Sequence, residues 1–337
     1  MDWVSYNCFY HGDQELALRK FVLPCVASLH SKGYIDRFYF VRYALGGPHL
    51  RLRLRLTSSA DHYDVHGSLH TAAHFFFSSY PSKSVSSHLI ERDNKVILQC
   101  DPHENDASVY PNHSFFEVPF RPEVERYGGA DLLAHSLDYF SVSSICALSL
   151  ICADYSYGHA TQLGLMFKTL ARQAFHLAQS SEMFLELLGY GERAWGGHMA
   201  PILNHVDAIY EKSPARFIKV INDAAQPGST FRDVLIADSS YALAKKISCS
   251  ASSTQIKVSH LHMTANRLGL SNIEELYWSR TLTRAAKSMT KLPALFSVFS
   301  TDRGQVTSCA LSLSEVADSA VSRYLGNSGS GSLEPGE

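Results

Sequence analysis

The sequence predicts an α+β fold in which an N-terminal portion with a mixed or antiparallel sheet packs on a larger helical portion. Two observations carry this. Segments 37–43 and 50–56 read as strands joined by the turn Gly46-Gly47-Pro48, and after Tyr127-Gly128-Gly129 the chain becomes a succession of helix-spaced apolar segments. Composition agrees: 337 residues, 45% hydrophobic and 18% charged, are enough for a substantial core and too apolar for disorder. The expected organisation is one domain over 1–325. Its sheet-containing part runs to 128 and its mainly helical part from 129, with a flexible Gly/Ser-rich tail at 326–337.

In chain order, 14–32 sets Leu16, Leu18, Phe21, Val22, Val26 and Leu29 near helical spacing, with Asp13 as N-cap and Gly33 at the stop. The second strand alternates strictly, so Leu50, Leu52, Leu54 and Leu56 share one face and Arg51, Arg53 and Arg55 the other. A further strand is expected at 95–100, followed by a His/Asn/Asp-rich loop to about residue 114. Helices are expected at 131–140, 142–154, 159–178, 198–212, 229–248, 254–268 and 273–290. No repeat with a 20–50-residue period is present.

A net charge of −2 argues against a nucleic-acid coat. Seven cysteines without a CxxC pair read as reduced thiols rather than a disulfide framework. No basic region followed by an apolar stretch opens the chain, and its longest apolar tract, 145–153, is far short of the ~20 residues that span a bilayer. A soluble, cytoplasmic protein is therefore expected, without membrane contact. No His/Cys cluster has metal-ligand spacing, and no cofactor is expected.

Three constellations carry possible chemistry. A row of arginines suits repeated bidentate contact with carboxylates or phosphates, and Arg42 can join it across the hairpin. The same row also suits a solvated face paired with structural Asp and Glu. In Arg121-Pro122-Glu123-Val124-Glu125-Arg126-Tyr127-Gly128-Gly129, Glu123 and Arg126 are one turn apart and the glycines permit a sharp turn or close approach. An ordinary charged turn before a helix has the same look. In 259–268, a helix puts His262 and Asn266 on one face, Leu261, Ala265 and Leu268 toward the core, and Met263 and Arg267 on the next stripe. An imidazole there can serve as acid or base, or can be structural.

Taken together and in order, these segments resemble the C-terminal elimination domain of lantibiotic dehydratases, also found as separate thiopeptide-biosynthesis proteins. The resemblance begins at Trp3 and Tyr6 and runs to about residue 290. It passes through Asp36-Arg37-Phe38-Tyr39-Phe40-Val41-Arg42-Tyr43, Gly47-Pro48-His49-Leu50-Arg51-Leu52-Arg53, Glu123-Val124-Glu125-Arg126-Tyr127-Gly128-Gly129, and His262-Met263 with Asn266-Arg267.

The resemblance implies β-elimination of glutamate from O-glutamylated Ser/Thr of a ribosomally made precursor peptide. Arg53, Arg126 and His262 would be catalytic, and Arg42, Arg51, Glu123, Asn266 and Arg267 would contact substrate. The implied partners are the precursor peptide and a separate tRNA-dependent glutamylation protein, with no nucleic acid bound by this chain. The residue types fit, since elimination needs a base for the α-proton and fixed positive donors for the developing enolate and departing carboxylate. Two alternatives stand beside it. One is a pyridine synthase joining two dehydroalanines in a formal [4+2] aza-cycloaddition with release of the leader peptide. The other is a non-catalytic module that binds an acidic leader peptide.

Overall fold

The strict Leu/Arg alternation that marks the second strand also organises the sheet around it. The computed structural model describes residues 3–100, 106–153, 159–197, 199–248, 250 and 252–297. Its strands are β1 (Trp3–Phe9), β2 (Ile35–Tyr43), β3 (His49–Leu56) and β4 (Ser114–Val118). They form one sheet, ordered β2-β3-β1-β4, with every pairing antiparallel. Leu50, Leu52 and Leu54 are fully buried. Register places Phe38 and Phe40 beside Leu54 and Leu52, and Tyr6 and Cys8 beside Leu52 and Leu50, so these residues form one apolar face. The opposite face carries Arg51, Arg53 and Arg55, with Asn7, Ser5 and Trp3 as their β1 partners.

The first helical stretch forms as expected, in three joined pieces: α1 (Gln14–Ala17), a π-helical turn Leu18–Val22, and α2 (Leu23–Ser31). The Asp13 carboxylate accepts the Glu15 N–H at 2.8 Å. Two helices follow the hairpin, α3 (His62–Ser79) and α4 (Ser87–Cys100). The strand expected at 95–100 is in fact the end of α4. Ile90, Asn94 and Ile97 are spaced by four and three, so they share one helical stripe, and Ile90 and Asn94 are buried whereas Val96 is 57% exposed. A local Val-Ile-Leu run imitates a strand because the helical period becomes visible only from Ile90 onward. Asn94 also secures the hairpin turn: its Oδ1 accepts the Gly46 N–H at 2.8 Å and its amide donates to the Ala107 carbonyl at 3.0 Å.

After a 3-10 turn at Glu125–Tyr127, the chain is helical: α5 (Ala130–Ala153), α6 (His159–Ala178), α7 (Ser181–Leu188), α8 (Tyr190–Trp195) and α9 (Ala200–Lys212). It continues with α10 (Pro214–Ala225), α11 (Phe231–Ile247), α12 (Ser253–Leu268), α13 (Asn272–Ser288) and α14 (Leu292–Ser297). The two helices expected at 131–140 and 142–154 are the single helix α5. Ser141 does not break it, because its hydroxyl donates to the Leu137 carbonyl within the helix, at 3.3 Å. By length and composition α5 is apolar enough to cross a membrane, yet most of it is buried, packed on β2, α11 and α12. The expected tail at 326–337, and any helix beyond 297, lie outside the described residues.

The two halves are joined along the outer edge of β2. An edge strand leaves alternate peptide groups open, and here side chains close them. The Phe40 N–H donates to Ser144 Oγ at 3.2 Å, and the Phe40 carbonyl accepts from Arg267 Nε at 2.9 Å. Asn266 lies against Arg42 like a neighbouring strand, accepting its N–H at 2.9 Å and donating to its carbonyl at 2.9 Å. Side chains of α5 and α12 thus continue the ladder.

Two buried imidazoles make this fold sensitive to acid. His260 lies among the Tyr127, Tyr139 and Phe140 rings, with Nε2 3.1 Å from Ser136 Oγ. Burial, reinforced by Arg267 and Arg126, pushes its pKa down to about 3. Burial does the same to His49, whose pKa also falls to about 3. An unfolded histidine takes its proton near pH ~6.5. The folded form stays neutral until about pH 3, so this stability is complete above ~6.5 and is lost as pH falls toward 3. Urea midpoints are therefore expected to drop between about pH 6.5 and 5, above the carboxylate range, and His260→Gln is expected to reduce that slope. An unchanged slope in the variant would contradict the assignment.

Candidate active site

The arginine face of the sheet forms the floor of a cavity of about 180 Å³ between the sheet and the helices. Tyr39, Val41 and Tyr43 of β2 and Arg51 and Arg53 of β3 line it from the sheet. Period-2 alternation puts these odd-numbered residues on one side. A second wall comes from Arg121, Pro122, Glu123, Arg126 and Tyr127, and a third from Leu133, Leu137 and Phe140 of α5. His262, Met263 and Asn266 of α12 complete it. Arg53, Arg126 and His262, distant in sequence, thus meet at one cavity.

Each arginine is held differently. Arg53 Nη1 donates to the Tyr6 and Leu52 carbonyls at 3.2 and 3.3 Å. The Arg51 guanidinium stacks 3.7 Å from the Tyr43 ring centroid, and its Nε donates to His49 Nε2 at 3.3 Å. That contact requires a neutral His49, whose Nδ1 then donates to the Gly47 carbonyl at 2.9 Å. Arg55, on the same face, lies outside the cavity. It makes a two-point ion pair with Asp36 at 2.7 Å through both contacts, which holds the Asp36 carboxyl below its usual range. The reading of a face paired with structural carboxylates thus holds at Arg55, whereas Arg51 and Arg53 of the same strand line the cavity.

Arg126 is placed by its turn. Gly128 and Gly129 have φ of +85° and +89°, and a Cβ on Gly128 would sit 2.6 Å from Leu132 and 2.8 Å from Ile256. Only glycine admits that reversal, which delivers Arg126 to the cavity and Tyr127 to the core. Glu123 accepts from Arg126 Nη1 at 2.8 Å, and Ser259 Oγ on α12 accepts from its Nε at 3.2 Å.

Arg42 and Arg267, expected to contact substrate, do not line the cavity. Register pairs Arg42 with Leu50, so it belongs to the leucine face and cannot join Arg51 and Arg53. Its partly buried guanidinium instead faces the C-terminal end of α12, near the Arg267 carbonyl at 3.4 and 3.5 Å. Arg267 is fully buried, donating to the Phe40 and Met263 carbonyls and stacked 4.6 Å from Phe140. Burial lowers its pKa to about 10, so it remains a cation at neutral pH. No carboxylate pairs with it among the described residues. Asn266 does line the cavity, but both polar atoms of its side chain are engaged by the Arg42 backbone.

One polar neighbour of the site was not anticipated from sequence. Glu275, only 1% exposed, lies with both carboxylate oxygens 3.1 Å from His262 Nδ1. The signal for it is the spacing of two helices. Gly269 ends α12, and Ser271 with Glu274 forms a capping box that starts α13, so the short turn brings Glu275 back beside His262. The Glu275 oxygen also accepts from Tyr190 Oη at 3.0 Å and Trp195 Nε1 at 3.3 Å.

Chemically, the cavity sets four guanidinium groups (Arg51, Arg53, Arg121 and Arg126) against one carboxylate, Glu123, beside an imidazole. Such a site suits an anion and a proton transfer. The chain belongs to the family described as lantibiotic biosynthesis dehydratase C-term, whose model matches residues 3–286.

Among solved structures it is similar to TbtD, the pyridine synthase from thiomuracin biosynthesis (13% identity, TM-score 0.72, 88% of this chain and 100% of TbtD). It is also similar to MibB, a tRNA-dependent lantibiotic dehydratase from Microbispora sp. 107891 (18%, TM-score 0.51, 84% of this chain and 28% of MibB). A third is TsrL (13%, TM-score 0.56, 90% and 99%). At these identities the likeness establishes the fold. No curated protein matches the chain.

The assignments separate by stability. Asn266→Ala leaves the Arg42 N–H and carbonyl without their partners, at about 1–3 kcal/mol each. A loss of about 2–4 kcal/mol in urea unfolding is expected for it, against less than about 1 kcal/mol for Arg53→Ala, a cavity residue. Equal effects would contradict the division of labour.

Proposed function

We propose that the protein catalyses β-elimination of glutamate from O-glutamylated Ser or Thr in a precursor peptide, giving dehydroalanine or dehydrobutyrine. The observation that carries the reading is the meeting of Arg53, Arg126 and His262 at one cation-rich cavity. The elimination is balanced by these groups alone. A base takes the α-proton, the Cα–H electron pair becomes the Cα–Cβ double bond, and the Cβ–O bond breaks. Glutamate departs with the former side-chain oxygen as part of a carboxylate. His262 is the proton-transfer group. Arg53 and Arg126 stabilise the enolate developing on the adjacent carbonyl and the departing carboxylate, a role for fixed donors in a partly buried site. Arg51 and Arg121 add to the field that draws in an anionic ester. Glu123 keeps the Arg126 guanidinium in place. The substrate would be supplied by a separate tRNA-dependent glutamylation protein.

A second reading, cycloaddition of two dehydroalanines, is favoured by the match to TbtD over the whole of that chain. The substrate consumed separates the two. Purified protein given a glutamylated peptide is expected to yield dehydrated peptide and free glutamate by mass spectrometry. Turnover only of an already dehydrated peptide would favour cycloaddition, and binding of either without turnover would favour a carrier role. With the glutamylated peptide, Arg53→Ala is expected to lose at least ~100-fold in rate, the scale of one missing charge-stabilising donor, and to accumulate the glutamyl adduct. A normal yield from the variant would remove Arg53 from the mechanism.

A further inference from the structure

We infer that Glu275 is a positioning residue that fixes the proton of His262 on Nδ1 and so presents Nε2 to the cavity as the reacting nitrogen. The inference deepens the elimination reading and, for its kinetic consequence only, rests on it.

The argument begins with the charge state of Glu275. Its Oε2 receives Trp195 Nε1 at 3.3 Å, and an indole N–H can only donate. Tyr190 Oη lies 3.0 Å from the same oxygen, and its own pKa is raised well above the usual phenol range by burial and by Glu275, so it too donates. An oxygen that accepts from two donors carries no hydrogen itself, so an acid proton could sit only on Oε1, facing His262 Nδ1, and there the imidazole, the stronger base of the two, takes it. The position supports ionisation further, because Glu275 lies in the first turn of α13, where the helix dipole favours negative charge. Its 1% exposure makes these donors obligatory, since a buried carboxylate is tolerable only when its lone pairs are filled.

A carboxylate facing His262 Nδ1 through both oxygens at 3.1 Å admits one arrangement of the imidazole: Nδ1 carries hydrogen. In the neutral ring Nε2 is then the lone-pair nitrogen. No described residue occupies Nε2, and His262 lines the cavity, so the basic nitrogen belongs to the side where Arg53 and Arg126 lie. When the ring takes the substrate's α-proton on Nε2, the imidazolium forms against a buried carboxylate, which offsets the repulsion of the nearby guanidinium groups.

The fold invests in this contact. The α12–α13 turn sets the two side chains opposite one another. Helix α8 packs so tightly on α13 that a Cβ on Gly191 would meet the Glu275 carbonyl oxygen and Ser279 Cβ, both at 2.9 Å. That close approach carries Tyr190 and Trp195 to the carboxylate.

Nitrogen-15 imidazole spectra of the full-length protein without substrate test the assignment, with the His262 signals identified by their loss in His262→Gln. The expected wild-type pattern is a protonated Nδ1 and an unprotonated Nε2 above the ring's titration. In Glu275→Gln the amide, still receiving Trp195 and Tyr190 on its oxygen, turns its NH₂ toward Nδ1, and the pattern is expected to invert. An Nε2–H tautomer in the wild-type protein, or an unchanged pattern in a folded Glu275→Gln, overturns the inference.

With a glutamylated peptide, Glu275→Gln is expected to lower kcat at least ~100-fold, the scale of general acid–base catalysis, and to leave KM within about threefold. Glu275→Asp is expected to recover part of that loss. An equal rise in KM, or full activity in Glu275→Gln, counts against positioning. If Glu275→Gln does not fold, the wild-type spectrum decides alone. A wild-type protein with the expected tautomer but no elimination would uphold the positioning and dismiss the elimination reading.

Discussion

The outer edge of β2 is the constraint on which the site depends. Phe40 and Arg42 present peptide groups that β3 cannot reach, and leaving them unpaired in a buried seam would cost about 1–3 kcal/mol each. Ser144, Arg267 and Asn266 satisfy them. Closing this edge fixes α12 in both rotation and height against the sheet. With Asn266 locked to Arg42, the residue one helical turn earlier, His262, can only stand over the face that carries Arg51 and Arg53. The cavity is therefore a by-product of strand-edge satisfaction, and its geometry inherits the rigidity of a ladder.

This separates residues that look alike in sequence. In Asn266-Arg267 the polar side chains suggest ligand contact, yet their work is to hold sheet and helices together. In Arg42 the guanidinium belongs to the apolar face and its charge lies near a helix end and near Glu15 and Asp13. Arg55 resembles Arg53 in every local respect, and only Asp36 and Asp138 convert it into a structural ion pair. Arg267, a buried cation at neutral pH, adds positive potential near the site without reaching it, since its charge is screened little by the interior around it.

The sequence made the central hairpin legible because Leu and Arg alternate without exception on β3, and most later helices because their apolar stripes are long. It also supplied the Glu123–Arg126 pairing, through a spacing of three, and the shared face of His262 and Asn266. Strand β1 is hard to see because its alternation is short: Val4-Ser5-Tyr6-Asn7-Cys8 alternates, but Trp3 and Phe9 put apolar side chains on the polar side. Strand β4 spans only five residues. Helix α3 mixes histidines with a glycine, and α4 was mistaken for a strand over its last turn. Glu275 is hidden for another reason: the Ser271-x-x-Glu274 spacing marks Glu274 as the capping carboxylate, but only tertiary packing brings the next one to His262.

What unites these features is an imidazole held opposite a set of guanidinium groups by a sheet edge tied to the helices. The most direct measurement uses a precursor peptide in which the target Ser is replaced by 2,3-diaminopropionate carrying glutamate through an amide, a link that resists elimination. Incubated with the protein in D₂O, this peptide is expected to exchange the α-hydrogen of the modified residue for deuterium, detected by mass spectrometry, and His262→Ala is expected to abolish the exchange while still binding the peptide. Equal exchange with wild-type protein and His262→Ala would contradict the account at its centre.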